Sequence, residues 1–234
     1  HLNDNLMQSI ALENNLSETA FVSIYESPIY IRWFTPSIEV DLCGHATLAS
    51  ARILFEHYPE LAGSEINFDS KSGILKVTKN KDDLCLNFPE DEPVLLDSDP
   101  LFEEILGIEP LQLLKGKDDY LAIFENQKQI EHIKPNFVML SKLDSRGLVI
   151  SAPGDQVDFV SRCFYPEAGI EEDPVTGSAH TMLTPYWAKE LGKNLLNANQ
   201  LSKRGGKLNC TLADNRVFIS GKSVIYFDGI ISIV

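Results

Sequence analysis

Two glycine turns, each leading into a helix-like segment, carry residue types that could hold a small anion and move a proton on it. Residues 43–46 read Cys-Gly-His-Ala, and residues 176–179 read Thr-Gly-Ser-Ala. The N–H groups in the first turn of a helix have no partner within the helix, and with the positive end of the helix dipole they bind anions such as carboxylates. The two turns therefore indicate an anion site, although two ordinary tight turns before helices explain the spacing equally well.

Ionisable and polar side chains near both turns favour a functional site. His45 lies in the first turn, and Asp173 and Ser178 flank the glycine of the second. A further carboxylate, Glu18, lies where an amphipathic segment stops and an apolar strand begins at Thr19. An isolated glutamate at such a junction is more often a helix cap or a solvated side chain, so its position alone assigns it no role.

These residues are placed by an internal repeat. Three short motifs occur twice in the same order, at offsets of 130 to 132 positions: R-x-F-x-P at residues 32–36 and 162–166, I-E-x-D at 38–41 and 170–173, and S-K-x-G at 70–73 and 202–205. Single matches of this length arise by chance, but their shared order indicates two copies of one α+β unit. If the copies pack about a pseudo-twofold axis, the helices that start near Gly44 and Gly177 face each other across a cleft.

Local patterns predict the elements of each copy. In the first, a strand over residues 30–34 precedes a helix that ends before Pro59 and whose apolar stripe is Ala46, Ala49 and Ile53. In the second, Gly192 is a natural end of the helix. The stripe of that helix comprises Ala179, Met182, Leu183, Tyr186 and Trp187.

The predicted fold is therefore α+β, with two pseudo-symmetric duplicated domains that each wrap a mostly antiparallel sheet round a central helix. We assign the first domain to residues 1–107 and the second to residues 108–234, with the crossing between them over residues 91–110, which are rich in acid–proline steps. We leave open whether the last strand returns to the first domain.

Composition excludes several classes of function. The chain has 234 residues with a net charge of −14, which repels nucleic acid. No apolar run approaches the roughly 20 residues of a membrane span. Four cysteines without a CxxC pair are typical of reduced thiols and predict a cytoplasmic location, and they offer no paired spacing for a zinc site.

Four longer motifs resemble a known family. They are N-L-S-E-T-A-F at residues 15–21, L-C-G-H-A-T at 42–47, G-I-E-E-D-P-V-T-G-S-A-H at 169–180 and L-S-K-R-G-G-K-L at 201–208. Together they are similar to the PhzF-like family of phenazine biosynthesis, whose fold is shared with diaminopimelate epimerase. They span nearly the whole chain, and the third is highly specific. The family's opening strand and Gly-Asn turn have no match, so we expect the first domain to be missing an N-terminal piece.

The resemblance implies a cofactor-independent isomerase or epimerase that transfers a proton on a small carboxylate-bearing metabolite, with neither metal nor cofactor. It implies Glu18 as the general acid–base group, because a buried glutamate becomes a stronger base and, once protonated, a usable acid. His45 and Asp173 would orient the substrate or relay protons, and Ser178 would stabilise the developing enolate. The predicted substrate-binding residues are Gly44, Ala46, Thr176, Gly177 and Ala179. A homodimer is implied by the resemblance alone.

Two alternatives stay open. Related racemases use two cysteines on opposite faces of the substrate, and Cys43 matches the first of them, but residues 173–177 supply no second thiol. Neither Cys163 nor Cys210 falls at the matching turn. The chain could also be a non-catalytic protein that binds a small acid in the same cleft. Alkylation that a substrate analogue prevents would support the first alternative, and deuterium exchange into a bound ligand would exclude the second.

Overall fold

The computed structural model describes residues 2–25 and 27–232. Its seven α-helices in these ranges are α1 Asp4–Asn14, α2 Gly44–His57, α3 Pro59–Ala62, α4 Pro100–Leu106, α5 Gln127–His132, α6 Phe137–Leu140 and α7 Gly177–Leu191, with one 3-10 turn over Pro166–Ala168. The longest has 15 residues. No helix in this part of the chain is long and apolar enough to cross a bilayer.

Within the same two ranges, fourteen strands form one mixed sheet. They are β1 Thr19–Ser23, β2 Ile29–Phe34, β3 Glu39–Val40, β4 Glu65–Ser70, β5 Gly73–Asn80, β6 Asp83–Pro89, β7 Val94–Leu96, β8 Gln112–Lys115, β9 Asp119–Ile123, β10 Gly147–Pro153, β11 Phe159–Phe164, β12 Leu195–Gln200, β13 Gly206–Ala213 and β14 Arg216–Gly221. The order across the sheet is β1-β2-β4-β5-β6-β14-β13-β12-β11-β10-β9-β8-β7, and β3 pairs with β2 outside this path.

The strand order reads almost the same from either side of the β6–β14 pair, and this symmetry reflects the internal repeat. In the first half, β1–β2 is antiparallel, β2–β4 parallel, and β4–β5 and β5–β6 antiparallel. In the second, β10–β11, β11–β12, β12–β13 and β13–β14 repeat that sequence of directions. The predicted α+β fold with an internal duplication is confirmed.

The two halves are joined through the sheet itself. The strand β14 pairs antiparallel with β6, so the final strand of the second half lies against the first. The strand β7, which precedes residue 107, pairs with β8 beyond it. The domain division at residues 107 and 108 stays a prediction.

The helices α2 and α7 occupy matching places against the sheet. In α7 the predicted stripe is confirmed, since all five of its residues are at most 8% exposed, and Gly192 ends the helix in the left-handed region with φ 64°. In α2 the predicted stripe is wrong at two positions, because Ala49 and Ile53 are exposed while Leu54 and Phe55 are buried. The face that packs is the one that carries Leu54 and Phe55, and burying each of these side chains contributes about 1.5–3 kcal/mol.

The helices begin face to face at two glycines. A Cβ atom placed on Gly44 would lie 3.1 Å from the Cα atom of Gly177, and one on Gly177 would lie 3.2 Å from the Cα atom of Gly44. Both distances are shorter than an ordinary carbon–carbon contact. Glycine at both positions is therefore required for the close approach of the two helix starts, which brings the two predicted turns into one place.

Candidate active site

A cavity of about 620 Å³ opens at the starts of α2 and α7. Its wall contains all four residues predicted for proton transfer, together with three of the predicted substrate-binding residues: Glu18, Gly44, His45, Asp173, Thr176, Gly177 and Ser178. Residues 130 positions apart in the chain thus form one site, because the repeat packs about its pseudo-twofold axis.

Two predicted substrate-binding residues need a correction. The side chains of Ala46 and Ala179 are buried, 6% and 1% exposed, and they face the protein interior instead of the cavity. Both residues lie in the first turn of their helices, where the N–H groups are unpaired within the helix. Only their backbone can therefore take part in binding an anion.

His45 is held by a bond across the two halves. Its Nδ1 lies 2.9 Å from the carbonyl oxygen of Val175. A carbonyl oxygen only accepts hydrogen bonds, so Nδ1 carries the proton and donates it. The other ring nitrogen, Nε2, then faces Glu18, with 3.0 Å to Oε2, and lies 3.4 Å from the hydroxyl of Ser17.

Glu18 sits between α1 and β1, with its side chain 11% exposed. Its Oε2 is close to His45 but receives no aligned hydrogen bond from any described residue. The short distance and the missing alignment are compatible, because an ion pair does not require a linear N–H···O bond. A buried carboxylate oxygen without an aligned donor keeps a lone pair free to accept a proton from a ligand.

Asp173 is 4% exposed and has one oxygen engaged and one free. The hydroxyl of Thr176 donates a short hydrogen bond to Oδ2, whereas Oδ1 has no donor among the described residues and lies 4.0 Å from Nδ1 of His45. Burial raises the pKa of Asp173, His45 opposes this effect and the charge of Glu18 adds to it, so that the net pKa is about 6. This carboxyl group can therefore exchange a proton close to neutral pH.

The charge on His45 depends on its neighbours. Burial lowers its pKa, but the neighbours Cys43, Glu18 and Asp173 together outweigh burial and hold the pKa well above the ordinary value. Of these neighbours, Cys43 is itself a neutral thiol at pH 7, because burial raises its pKa to about 11. The anionic groups that raise the pKa of His45 are therefore Glu18 and Asp173, which lie 3.0 Å from Nε2 and 4.0 Å from Nδ1 of its ring.

Gln200 supports the second glycine turn, and no sequence motif indicated this role. It is fully buried at the end of β12; its Oε1 accepts the N–H of Thr176 over 2.7 Å, and its Nε2 donates to the carbonyl oxygen of Asp173 over 2.8 Å. This pair of bonds fixes the turn before α7. The available signal was its place in the strand, since Leu196, Ala198 and Gln200 share the buried face.

The arrangement does not favour thiol chemistry or a preformed metal site. Cys43 is buried and neutral, and Thr176 and Ser178 occupy the opposite turn, as the sequence predicted. Donor atoms of Glu18, Cys43 and His45 lie within 4.8 Å of one another. The sulfur, however, is 3.8 Å from both ring nitrogens, so it does not lie on the Nε2 side, where a metal bound to that nitrogen would need it.

Several wall residues were not among those predicted for the site. Lys117, Arg146 and Tyr165 line the cavity from the second half, and Phe88 and Glu39 line it from the first. They come from turns and strand ends whose proximity arises only in the folded chain.

Comparisons with known proteins agree with this architecture. A family model described as phenazine biosynthesis-like protein matches residues 1–229. A Pseudomonas aeruginosa protein named as an uncharacterized isomerase is 48% identical over 228 residues, covering 97% of this chain and 87% of that protein. A crystal structure of a PhzF-family protein from Enterococcus faecalis superposes with a TM-score of 0.91 at 43% identity, over 97% of this chain and 87% of that one.

A more distant likeness shows the fold alone. The crystal structure of a hydroxyproline epimerase from Agrobacterium vitis has a TM-score of 0.60 at 8% identity, over 89% of this chain and 72% of that one. The duplicated architecture is therefore shared with epimerases.

Proposed function

Because the chain belongs to the phenazine biosynthesis-like family, in which relatives are named isomerases, we propose that it is an isomerase that moves a proton within a small carboxylate-bearing metabolite. We assign Glu18 as the general acid–base group. The observation that carries this assignment is the Glu18–His45 pair, 3.0 Å apart on the cavity wall, with Oε2 of Glu18 free of any aligned donor in the described chain.

The substrate carboxylate is held between the two helix starts. The N–H groups of the first turns of α2 and α7 converge there, since Gly44 and Gly177 are in contact. Each helix start carries roughly half a positive charge, which stabilises an anion locally. This local attraction is needed because the chain as a whole carries a net charge of −14.

The proton then moves through Glu18. Its carboxylate takes a proton from the carbon next to the bound carboxylate, and the electron pair of that C–H bond passes into an enolate. The N–H groups and the hydroxyl of Ser178 stabilise the negative charge. Where the substrate carries a double bond next to that carbon, the enolate is conjugated with it, and the same glutamic acid returns the proton to the far end of that double bond. The double bond moves by one position, the carboxylate of Glu18 is regenerated and the substrate is isomerised.

The neighbouring groups orient this exchange. His45, fixed to Val175, holds the carboxylate of Glu18 in place, and Asp173, with its pKa raised to about 6, relays a proton with solvent or substrate. The reaction neither gains nor loses electrons, and every proton has a donor and an acceptor within the chain, so it proceeds in this form without a cofactor. The homodimer and the cytoplasmic location stay predictions.

Deuterium exchange tests the proposal. The protein is incubated in D2O with a panel of amino acids and hydroxy acids, and exchange of the carbon-bound proton is followed by NMR. Glu18→Gln keeps the shape but removes the base, so exchange should fall by about 100-fold or more. Glu13→Gln on the exposed side of α1 is the matched control and should leave the rate unchanged. Equal rates for Glu18→Gln and wild type would reject the role of Glu18.

A further inference from the structure

The cavity wall carries charges of both signs in different places. Its carboxylates are Glu18, Glu39, Asp41, Asp118, Glu167 and Asp173. Apart from His45, the cations that the described residues place on the wall are Lys117 and Arg146, both from the second half. Lys117 is solvent-exposed, whereas Arg146 is partly buried next to the start of β10. Arg146 therefore provides a fixed positive group in a largely acidic cavity.

Two contacts hold the guanidinium of Arg146 rigidly. Its Nε donates to Oδ1 of Asp119 over 2.9 Å, and its Nη2 donates a short bond to Oδ2. The guanidinium carbon also lies 5.3 Å from the centre of the Tyr165 ring, whose hydroxyl donates to the same Asp119 over 3.3 Å. Asp119 is only 3% exposed, so this cluster is anchored in the core.

The bonds to Asp119 leave part of the guanidinium unused. A guanidinium has five N–H donors in a planar fork. Nη1 has no acceptor among the described residues, and Nη2 keeps a second N–H. This free side matches the two oxygens of a carboxylate, which arginine binds in a bidentate manner.

The internal repeat relates Arg146 to Glu18. Thr19 pairs with Phe34 in the first half, and Leu148 pairs with Phe164 in the second. Phe34 and Phe164 are the same position of the repeated R-x-F-x-P motif, so Glu18 corresponds to Gly147. Arg146, which precedes Gly147, therefore reaches the cavity from the wall opposite to Glu18.

Gly147, the position equivalent to Glu18, has no space for a second acidic side chain. A Cβ atom on Gly147 would lie 2.3 Å from Cδ1 of Tyr165, which leaves no space for any side chain. The second half therefore carries the cation Arg146 next to Gly147, whereas the first half carries the base Glu18 at the position equivalent to Gly147.

We propose that Arg146 determines substrate specificity by binding a second, distal carboxylate, so that the substrates are small dicarboxylates. This inference rests on the proposed function in one respect, namely that the starts of α2 and α7 hold the first carboxylate.

Binding of two simple acids tests it. Succinate has two carboxylates and butyrate one, with the same number of carbons, and their affinities can be measured by ligand-observed NMR titration. Wild-type protein should bind succinate about tenfold or more tightly than butyrate. Arg146→Lys keeps the charge but loses the planar set of N–H donors that can bind both carboxylate oxygens. It should reduce the ratio of succinate to butyrate affinity several-fold, through weaker succinate binding alone.

A double variant and two controls complete the design. Removal of Arg146 leaves Asp119 buried without its cation, so Asp119→Asn is combined with Arg146→Gln to keep the core neutral. This double variant should bind both acids equally. Lys193→Gln, which loses a comparable ion pair to Asp158 outside the cavity, should keep the wild-type ratio.

The outcome separates this proposal from the proposed function. Glu18→Gln should keep the succinate preference although it loses exchange, so the two can fail independently. Equal affinities in wild type, or an undiminished succinate preference in both Arg146 variants, would overturn the assignment of Arg146.

Discussion

The Nδ1 atom of His45 donates a hydrogen bond over 2.9 Å to the carbonyl oxygen of Val175, which lies in the other half of the molecule. This one bond assigns different tasks to the two ring nitrogens. Nδ1 ties the first glycine turn to the second, and Nε2 faces the carboxylate of Glu18.

Asparagine and glutamine separate these two tasks at His45. The side-chain amide of asparagine can donate a hydrogen bond in place of Nδ1, so His45→Asn should keep the bond to Val175. Its free energy of unfolding should lie within about 1 kcal/mol of the wild-type value. It should still lose about 100-fold in exchange rate, because Glu18 is no longer positioned. His45→Gln should show the larger loss of stability, and chemical denaturation measures it. Similar exchange rates for His45→Asn and wild type would contradict the orienting role.

The raised pKa of Asp173 predicts how stability depends on pH. Unfolded aspartate has a pKa of about 3.9, whereas burial and the charge of Glu18 raise the folded value to about 6. Between these values the folded state binds more protons, so this residue makes the protein less stable as the pH rises from about 4 to 6. His45 acts in the same direction, since its raised pKa gives stability that is lost as the pH increases through the folded value.

Asp173→Asn removes this dependence. Relative to wild type, the free energy of unfolding of the variant should increase by on the order of 2 kcal/mol as the pH rises from about 4 to 7. Urea unfolding at each pH measures it. Asp155→Asn, at an exposed position, is the control and should follow the wild-type curve. If the free energies of unfolding of Asp173→Asn and wild type differed by the same amount at every pH, the pKa of the carboxyl group would be the same in the folded and unfolded states.

Cys43 should be dispensable for proton transfer. Its sulfur is a buried thiol whose pKa burial raises to about 11, so little thiolate exists at pH 7 to act as a base. Cys43→Ala should therefore lower deuterium exchange by less than about tenfold, whereas loss of an acid–base group costs 100-fold or more. Iodoacetamide at pH 7 should leave activity intact. A loss of 100-fold in Cys43→Ala would restore the thiol mechanism.

The repeat explains why much of the site could be predicted from sequence. Gly44 and Gly177 mark the starts of equivalent helices, so a pseudo-twofold arrangement brings their turns together without further information. Glu18 was placed at the junction before β1 by a helix that stops and a strand that begins, and only the family resemblance gave it a role.

Other features depend on packing that local patterns do not contain. The helix α2 carries apolar residues on more than one face, and Leu54 and Phe55 take the core while Ile53 stays exposed. Gln200 and Arg146 act through partners 24 and 27 positions away, so neither forms a motif along the chain.

The contact between Gly44 and Gly177 also limits how this cavity can be reshaped. Its floor is main chain against main chain, so its depth cannot be tuned by exchanging side chains there. Any variant selected for larger or smaller ligands must instead change the sides, where Phe88 approaches one glycine and Tyr165 supports Arg146.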